Sequence, residues 1–203
     1  MSPRRRKVED ADVFAALVRV MKRAGPAELT LRAIAAEAGV TAGALVQRFG
    51  SKRALLLAHA RYAAATGDVG LDIADSGTFS SALDALQAMT AAYAQLATSP
   101  RAAVRNLAYL QNDLADPALR RHLLRLSLAA RAYYRELLTR AVAARDLRAD
   151  TDIPTVARLI EVTLRGSLLA WMLYREGAAA DYLRTDLDAV LRPYIRRGVK
   201  RSR

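Results

Sequence analysis

Residues 25–53 read GPAELTLRAIAAEAGVTAGALVQRFGSKR, two short helices joined by a tight turn. Leu31, Ile34, Ala35 and Ala38 recur at i, i+3, i+4 and i+7, the spacing that gathers apolar side chains on one helical face. Thr30 stands just before them, where a hydroxyl can accept a hydrogen bond from an orphaned amide. Gly39 follows the last apolar position, where a helix commonly stops in the left-handed region. Val40 plugs the turn, and Thr41 is a second N-cap, opening AGALVQRF with Leu45 and Phe49 four apart. This is a helix-turn-helix pattern, whose second helix enters the major groove of DNA.

With Leu45 and Phe49 turned inward, Thr41, Ala42, Ala44, Val46, Gln47 and Arg48 lie nearer the DNA side. The Gln47 amide suits adenine N6 and N7, and the Arg48 guanidinium suits guanine O6 and N7. Arg48 has two plainer alternatives, a phosphate or a pair with Glu37. Val46 or Ala44 can pack on a thymine methyl. Gly43 lets the backbone approach either the duplex or a neighbouring helix. Thr30, Thr41 and Lys52 are placed for phosphates, at helix starts where hydroxyls, amides or a cation meet them. Arg4, Arg5, Arg6 and Lys7 form either a minor-groove arm or a plain basic tail.

Gly39-Val40, then Thr41, Gly43, Leu45 and Phe49-Gly50-Ser51-Lys52, resembles the signature of the TetR-type (tetracycline-repressor-like) bacterial transcriptional regulators. The resemblance runs from about Val8 to Leu57. It implies an all-helical homodimer with an N-terminal DNA-binding domain and a C-terminal domain for a small effector. It also implies a backbone contact for Lys52. Two positions depart from the family pattern: Ala42 replaces a usual lysine and Val46 a usual aromatic residue, both commonly in contact with the DNA backbone.

The formal net charge is +12. Residues 1–62 hold twelve Lys+Arg against five Asp+Glu, so the excess concentrates around the helix-turn-helix, as phosphate neutralisation requires. Basicity alone would equally suit RNA, a membrane surface or any polyanion. Without cysteine, disulfides and thiolate metal sites are excluded. No run approaches the roughly 20 apolar residues of a membrane span. The start, MSPRRRKVED, has no apolar core of the kind signal peptides carry, so a cytoplasmic protein is expected. No phosphate-cradling glycine loop, nucleophile elbow or metal cluster appears, so neither an enzyme nor a cofactor is expected.

Elsewhere, Pro and Gly divide the chain into helices over roughly 8–24, 51–66, 78–98, a short one from 99 to about 110, 117–145, 152–177 and 180–195, with Pro193 kinking or ending the last. No period-2 alternation predicts a sheet, so the fold class is all-α, about nine helices. The glycine-rich acidic stretch GDVGLDIADSG, residues 67–77, marks the domain boundary, giving a DNA-binding domain of residues 1–62 and a helical effector and dimerisation domain of residues 63–203.

In the second domain Tyr93, Asn106, Tyr109, Gln111, Asn112, Tyr133 and Trp171 mix aromatic surface with polar tips, as ligand sites do; plain core packing is the competing reading. Thr163, Gly166, Ser167 and Ala170, with Leu187, Val190, Leu191 and Tyr194, are assigned to a dimer seam. Glu161 and Arg165, at i and i+4, form a surface pair, line a pocket or cross that seam. The expected function is a dimeric, sequence-specific DNA-binding regulator on an inverted repeat, a repressor released by a modest apolar effector. The rivals are an architectural DNA-binding protein and a helical ligand-binding module without DNA binding.

Overall fold

The computed structural model describes residues 8–66 and 79–196; the Arg4–Lys7 run, residues 67–77 and the last seven residues lie outside them. Nine α-helices occur among the described residues: α1 (Asp10–Arg23), α2 (Leu31–Ala38), α3 (Ala42–Phe49), α4 (Lys52–Thr66), α5 (Ala82–Ala94), α6 (Pro100–Ala115), α7 (Pro117–Ala143), α8 (Ile153–Tyr174) and α9 (Ala179–Leu191). No strand forms among them, only a bridge between Leu147 and Ile195.

Caps set most of the boundaries. Ser81, Ser99 and Asp152 accept hydrogen bonds from Asp84, Ala102 and Thr155 amides at 3.1, 3.2 and 3.2 Å. Asp116 Oδ1 accepts from Ala118 N at 2.8 Å, and Pro117 occupies the first helical position, where its missing N–H costs nothing. Pro193 confines the last turn to a 3-10 piece, Arg192–Tyr194, so α9 stops at Leu191. The sixth helix is longer than the sequence suggests, because no breaker interrupts it before Asp116.

The chain divides into two compact units, Met1–Thr66 with Arg105–His122, and Gly67–Val104 with Leu123–Arg203. In the first, Val13, Phe14, Leu17, Val20, Leu29, Ile34, Leu45, Leu55 and Tyr109 form one core. Residues 105–122 join it by burying Tyr109, whose hydroxyl donates to the Ala24 carbonyl at 2.9 Å, and by the bond from Arg53 Nη2 to Asp116 Oδ1 at 3.0 Å. This differs from the single cut between 62 and 63 read from the sequence, since an apolar face on α6 does not name what it packs on.

In the second unit, α8 and α9 pack together with α5 against them. Leu86, Leu137, Leu138, Ile160, Leu183, Leu187 and Leu191 fill their core. Glu161 is buried, not a surface partner of Arg165. Arg131 Nε donates to it at 2.7 Å and Arg165 Nη2 at 3.1 Å, and Arg165 also donates to Ser127 Oγ at 2.7 Å. Two guanidiniums meet a carboxylate that would otherwise be costly to bury.

Two neighbouring carboxyls of the first unit titrate in opposite senses. The Arg53 guanidinium holds Asp116 down to about 2. Burial, with the Asp116 charge adding to it, pushes Asp113 up to about 6. Below the ordinary aspartate value of ~3.9 Asp113 is protonated folded and unfolded and costs nothing; as pH rises to about 6 the unfolded chain ionises first and stability falls. Asp116 works the other way: its contribution is complete above ~4 and is lost as pH falls towards 2. Replacing Asp113 with Asn should therefore flatten the decline in urea midpoint between about pH 4 and 6.

Candidate nucleic-acid interface

Two threonines open the helices that build this surface. Thr30 Oγ1 accepts from Ala33 N and Thr41 Oγ1 from Ala44 N, both at 3.1 Å. Each hydroxyl keeps its own hydrogen to donate, beside first-turn amides that have no acceptor within their helix. Both threonines are exposed. Between the helices Gly39 adopts φ +70°, and Val40 N reaches back to Ala35 O at 3.0 Å, which closes α2 with a Schellman turn.

Inside α3, Leu45 is 1% exposed, Phe49 and Ala42 are half-buried, and the Phe49 ring lies 6.0 Å from that of Phe14. Gly43, Ala44, Val46 and Gln47 are exposed. The two inward side chains therefore dock the helix and leave its opposite flank open. Lys52 Nζ lies 3.4 Å from the Pro26 carbonyl at the start of α4 and is half-buried.

Arg48 does not pair with Glu37. Its Nη1 donates to the Val8 carbonyl at 2.6 Å and its Nη2 pairs with Asp10. Glu37 is taken by Arg19 and Arg23, at 2.6 and 2.5 Å, whose hydrogen bonds hold its carboxyl below the usual range. Arg32, exposed in the first turn of α2, escaped the sequence reading; its place two residues after the Thr30 cap was the available signal.

Among the described residues no neighbour of Gly43 demands glycine: a Cβ there would come no nearer than 3.9 Å, to Thr41 Oγ1. Gly43→Ala should therefore raise helix stability by up to ~1 kcal/mol. If the backbone approaches a duplex, the same change should weaken DNA binding. Thermal unfolding and a binding titration on one preparation would show the two moving apart.

Two family models match. One, for bacterial regulatory proteins of the tetR family, covers residues 13–59, and the other, a tetracyclin repressor-like C-terminal domain, covers residues 111–187. The chain belongs to the tetR family. No curated protein sequence matches it. Solved structures share the fold of this TetR-family protein. A TetR transcription regulator from Haloarcula marismortui is 16% identical with a TM-score of 0.73, over 92% of this chain and 98% of that one. SmeT, the repressor of the Stenotrophomonas maltophilia multidrug efflux pump SmeDEF, is 21% identical with a TM-score of 0.67, over 95% and 93%. A Saccharomonospora viridis protein solved in complex with choline is 17% identical with a TM-score of 0.76, over 93% and 98%.

The remaining candidate residues of this TetR-family protein belong to both units. Asn106, Tyr109, Gln111 and Asn112 fall in the first unit, and Tyr93, Tyr133 and Trp171 in the second. Tyr109 is core, and the Trp171 indole donates to the Gly177 carbonyl at 3.2 Å within a small cluster of Ala97, Ala103 and Ala179. Tyr93 and Tyr133 are half-buried beside the second unit's core, and burial raises the Tyr93 hydroxyl above its ordinary value.

Of the seam candidates, Leu187 and Leu191 are spent inside the chain. Ser167 Oγ, buried, bonds to Thr163 O at 2.7 Å and Asp186 Oδ2 at 2.5 Å. Thr163, Ala170, Val190 and Tyr194 are half-buried and Gly166 is exposed. A stripe of four large apolar residues on α8 that was not among the seam candidates, namely Leu159, Val162, Leu169 and Leu173, is between 42% and 74% exposed. Their spacing, with Gly166 between them, is three, four, three and four, that of a coiled-coil seam. Only the structure separates them from the equally apolar inward face.

Proposed function

We propose that this TetR-family regulator is a homodimeric repressor that binds an inverted-repeat operator through paired α3 helices and leaves it when a small, mainly apolar effector occupies the second unit. The observation that carries the reading is the open flank of α3. Gly43, Ala44, Val46 and Gln47 are exposed on a helix anchored from behind by Leu45. Thr30, Thr41 and Lys52 supply phosphate partners around it, and Ala42, half-buried, lies at the edge of the contact.

Dimerisation is supported by the exposed stripe on α8. Gly166 stands in its middle, and among the described residues a Cβ added there would meet nothing within 4 Å, so no packing among them repays a mid-helix glycine. A second copy approaching closely would. Thr163 and Ala170 on α8, Val190 on α9 and Tyr194 in the turn after it are half-buried and complete the proposed seam. In a dimer joined this way the two α3 helices would meet successive major grooves about 34–36 Å apart.

Effector binding is supported by the half-buried Tyr93 and Tyr133, and by the relatives whose names describe a repressor of an efflux pump and a complex with choline. Release follows if the effector favours a dimer whose recognition helices no longer match the groove spacing. Selecting bound sequences from a random DNA pool tests the reading. An inverted-repeat consensus is expected, with Gln47→Ala changing base preference and Lys52→Ala weakening all sequences alike. A steep salt dependence with no consensus would instead identify an architectural DNA-binding protein.

A further inference from the structure

The recognition helix carries one cation, and the chain has already engaged it. Arg48 follows Gln47 on the flank of α3 that faces the start of α1. There its Nη1 donates to the Val8 carbonyl at 2.6 Å, its Nη2 pairs with Asp10, and its side chain retains 34% exposure. Asp10 is the first residue of α1, where the amides of the opening turn favour a negative charge. Reading guanine takes two parallel donors from one guanidinium. Each terminal nitrogen of Arg48 already has an acceptor within the protein, and the two together fix where the guanidinium points. Arg48 is itself exposed; the other exposed positions of α3, Gly43, Ala44, Val46 and Gln47, are uncharged.

We infer that Arg48 is a positioning residue, tied by Asp10 and the Val8 carbonyl, and that α3 reads A·T base pairs through its uncharged flank. The Gln47 amide matches adenine N6 and N7, and Val46 with Ala44 offers the apolar surface that a thymine methyl needs. Asp10 thereby has two effects. It orients the recognition helix against α1, and it withholds a cation that would otherwise add sequence-independent phosphate affinity. This inference rests on the operator-binding reading and assigns the class of sequence recognised.

The test uses the full-length dimer, with selection from a random DNA pool and the salt dependence of binding to the selected operator. Arg48→Ala should leave the selected bases and the slope of log affinity against log salt unchanged, while lowering affinity uniformly. Asp10→Asn should release the guanidinium onto the backbone and steepen that slope by about 0.9 per recognition helix, about 1.8 per dimer. Adding Arg48→Ala to Asp10→Asn should restore the original slope, which loss of a purely structural contact would not do.

The inference is overturned if Arg48→Ala erases a guanine preference or flattens the slope by about 0.9 per helix. It is equally overturned if Asp10→Asn leaves the slope unchanged. Thermal unfolding confirms that each variant folds, and Arg48→Gln, which keeps most of the stem, serves if the alanine variant does not. A wild-type protein that selects no sequence defeats the operator-binding reading itself; a selected sequence with an Arg48-dependent guanine defeats only this inference.

Discussion

Leu45→Ala should destabilise the N-terminal unit by roughly 3 kcal/mol, within the range of about 2–5 for emptying a buried leucine site, and should cost most of the DNA binding. The expectation follows from how little holds α3. The helix has eight residues, too few to persist alone, and Leu45 is its one fully buried side chain. Phe49 and Ala42 contribute half-buried contacts, so the cavity left by Leu45 falls where no second anchor compensates. At about 1.4 kcal/mol per factor of ten, 3 kcal/mol shifts the docked population of α3 by over a hundredfold. Val46→Ala is the control: at 49% exposure it should change stability by less than about 0.5 kcal/mol while altering base preference. Urea unfolding and operator titration of the two variants should separate anchoring from reading. Equal losses of stability would show that α3 is not docked through Leu45.

The second large effect is expected on α8. Charging the stripe with Val162→Glu and Leu169→Glu should leave the fold intact, because both side chains are about half exposed, at 56% and 49%. It should nevertheless yield a monomer, since like carboxylates would face each other across a two-fold seam with no cation assigned to them. A monomer binds one half-site instead of two joined ones, so affinity for the inverted repeat should drop by about 10²–10⁴-fold. Light scattering at micromolar concentration reads the first consequence and a gel-shift titration the second. A charged variant that stays dimeric would move the seam elsewhere on the molecule. One that becomes monomeric yet binds the full operator as tightly would sink the paired-helix reading.

Much of the DNA-binding unit is legible from local chemistry. Thr30 and Thr41 as caps, Gly39 at a left-handed turn, and Leu45 with Phe49 on one face are properties of a few consecutive residues. Each appears in the structure as a hydrogen bond, a φ value or a buried side chain. The all-helical class is legible for the same reason, since a helix closes its hydrogen bonds within one segment.

Which residue meets which is settled by packing between distant segments. Arg48 can be read from sequence as a base reader, a phosphate contact or a partner of Glu37; it finds Asp10 and Val8, forty residues away in the chain from the latter. Glu161 can be read with Arg165 as a surface pair, a pocket lining or a seam crossing; it is buried between two arginines. Leu187 and Leu191 read as seam and are core, while Leu159, Val162, Leu169 and Leu173 are as apolar as any core residue and are exposed. Residues 105–122 belong with the N-terminal unit for a reason no local pattern carries, the burial of Tyr109. A helical period fixes how side chains are grouped around an axis; the assignment of each group to core, partner or solvent depends on long-range packing of segments far apart in the chain.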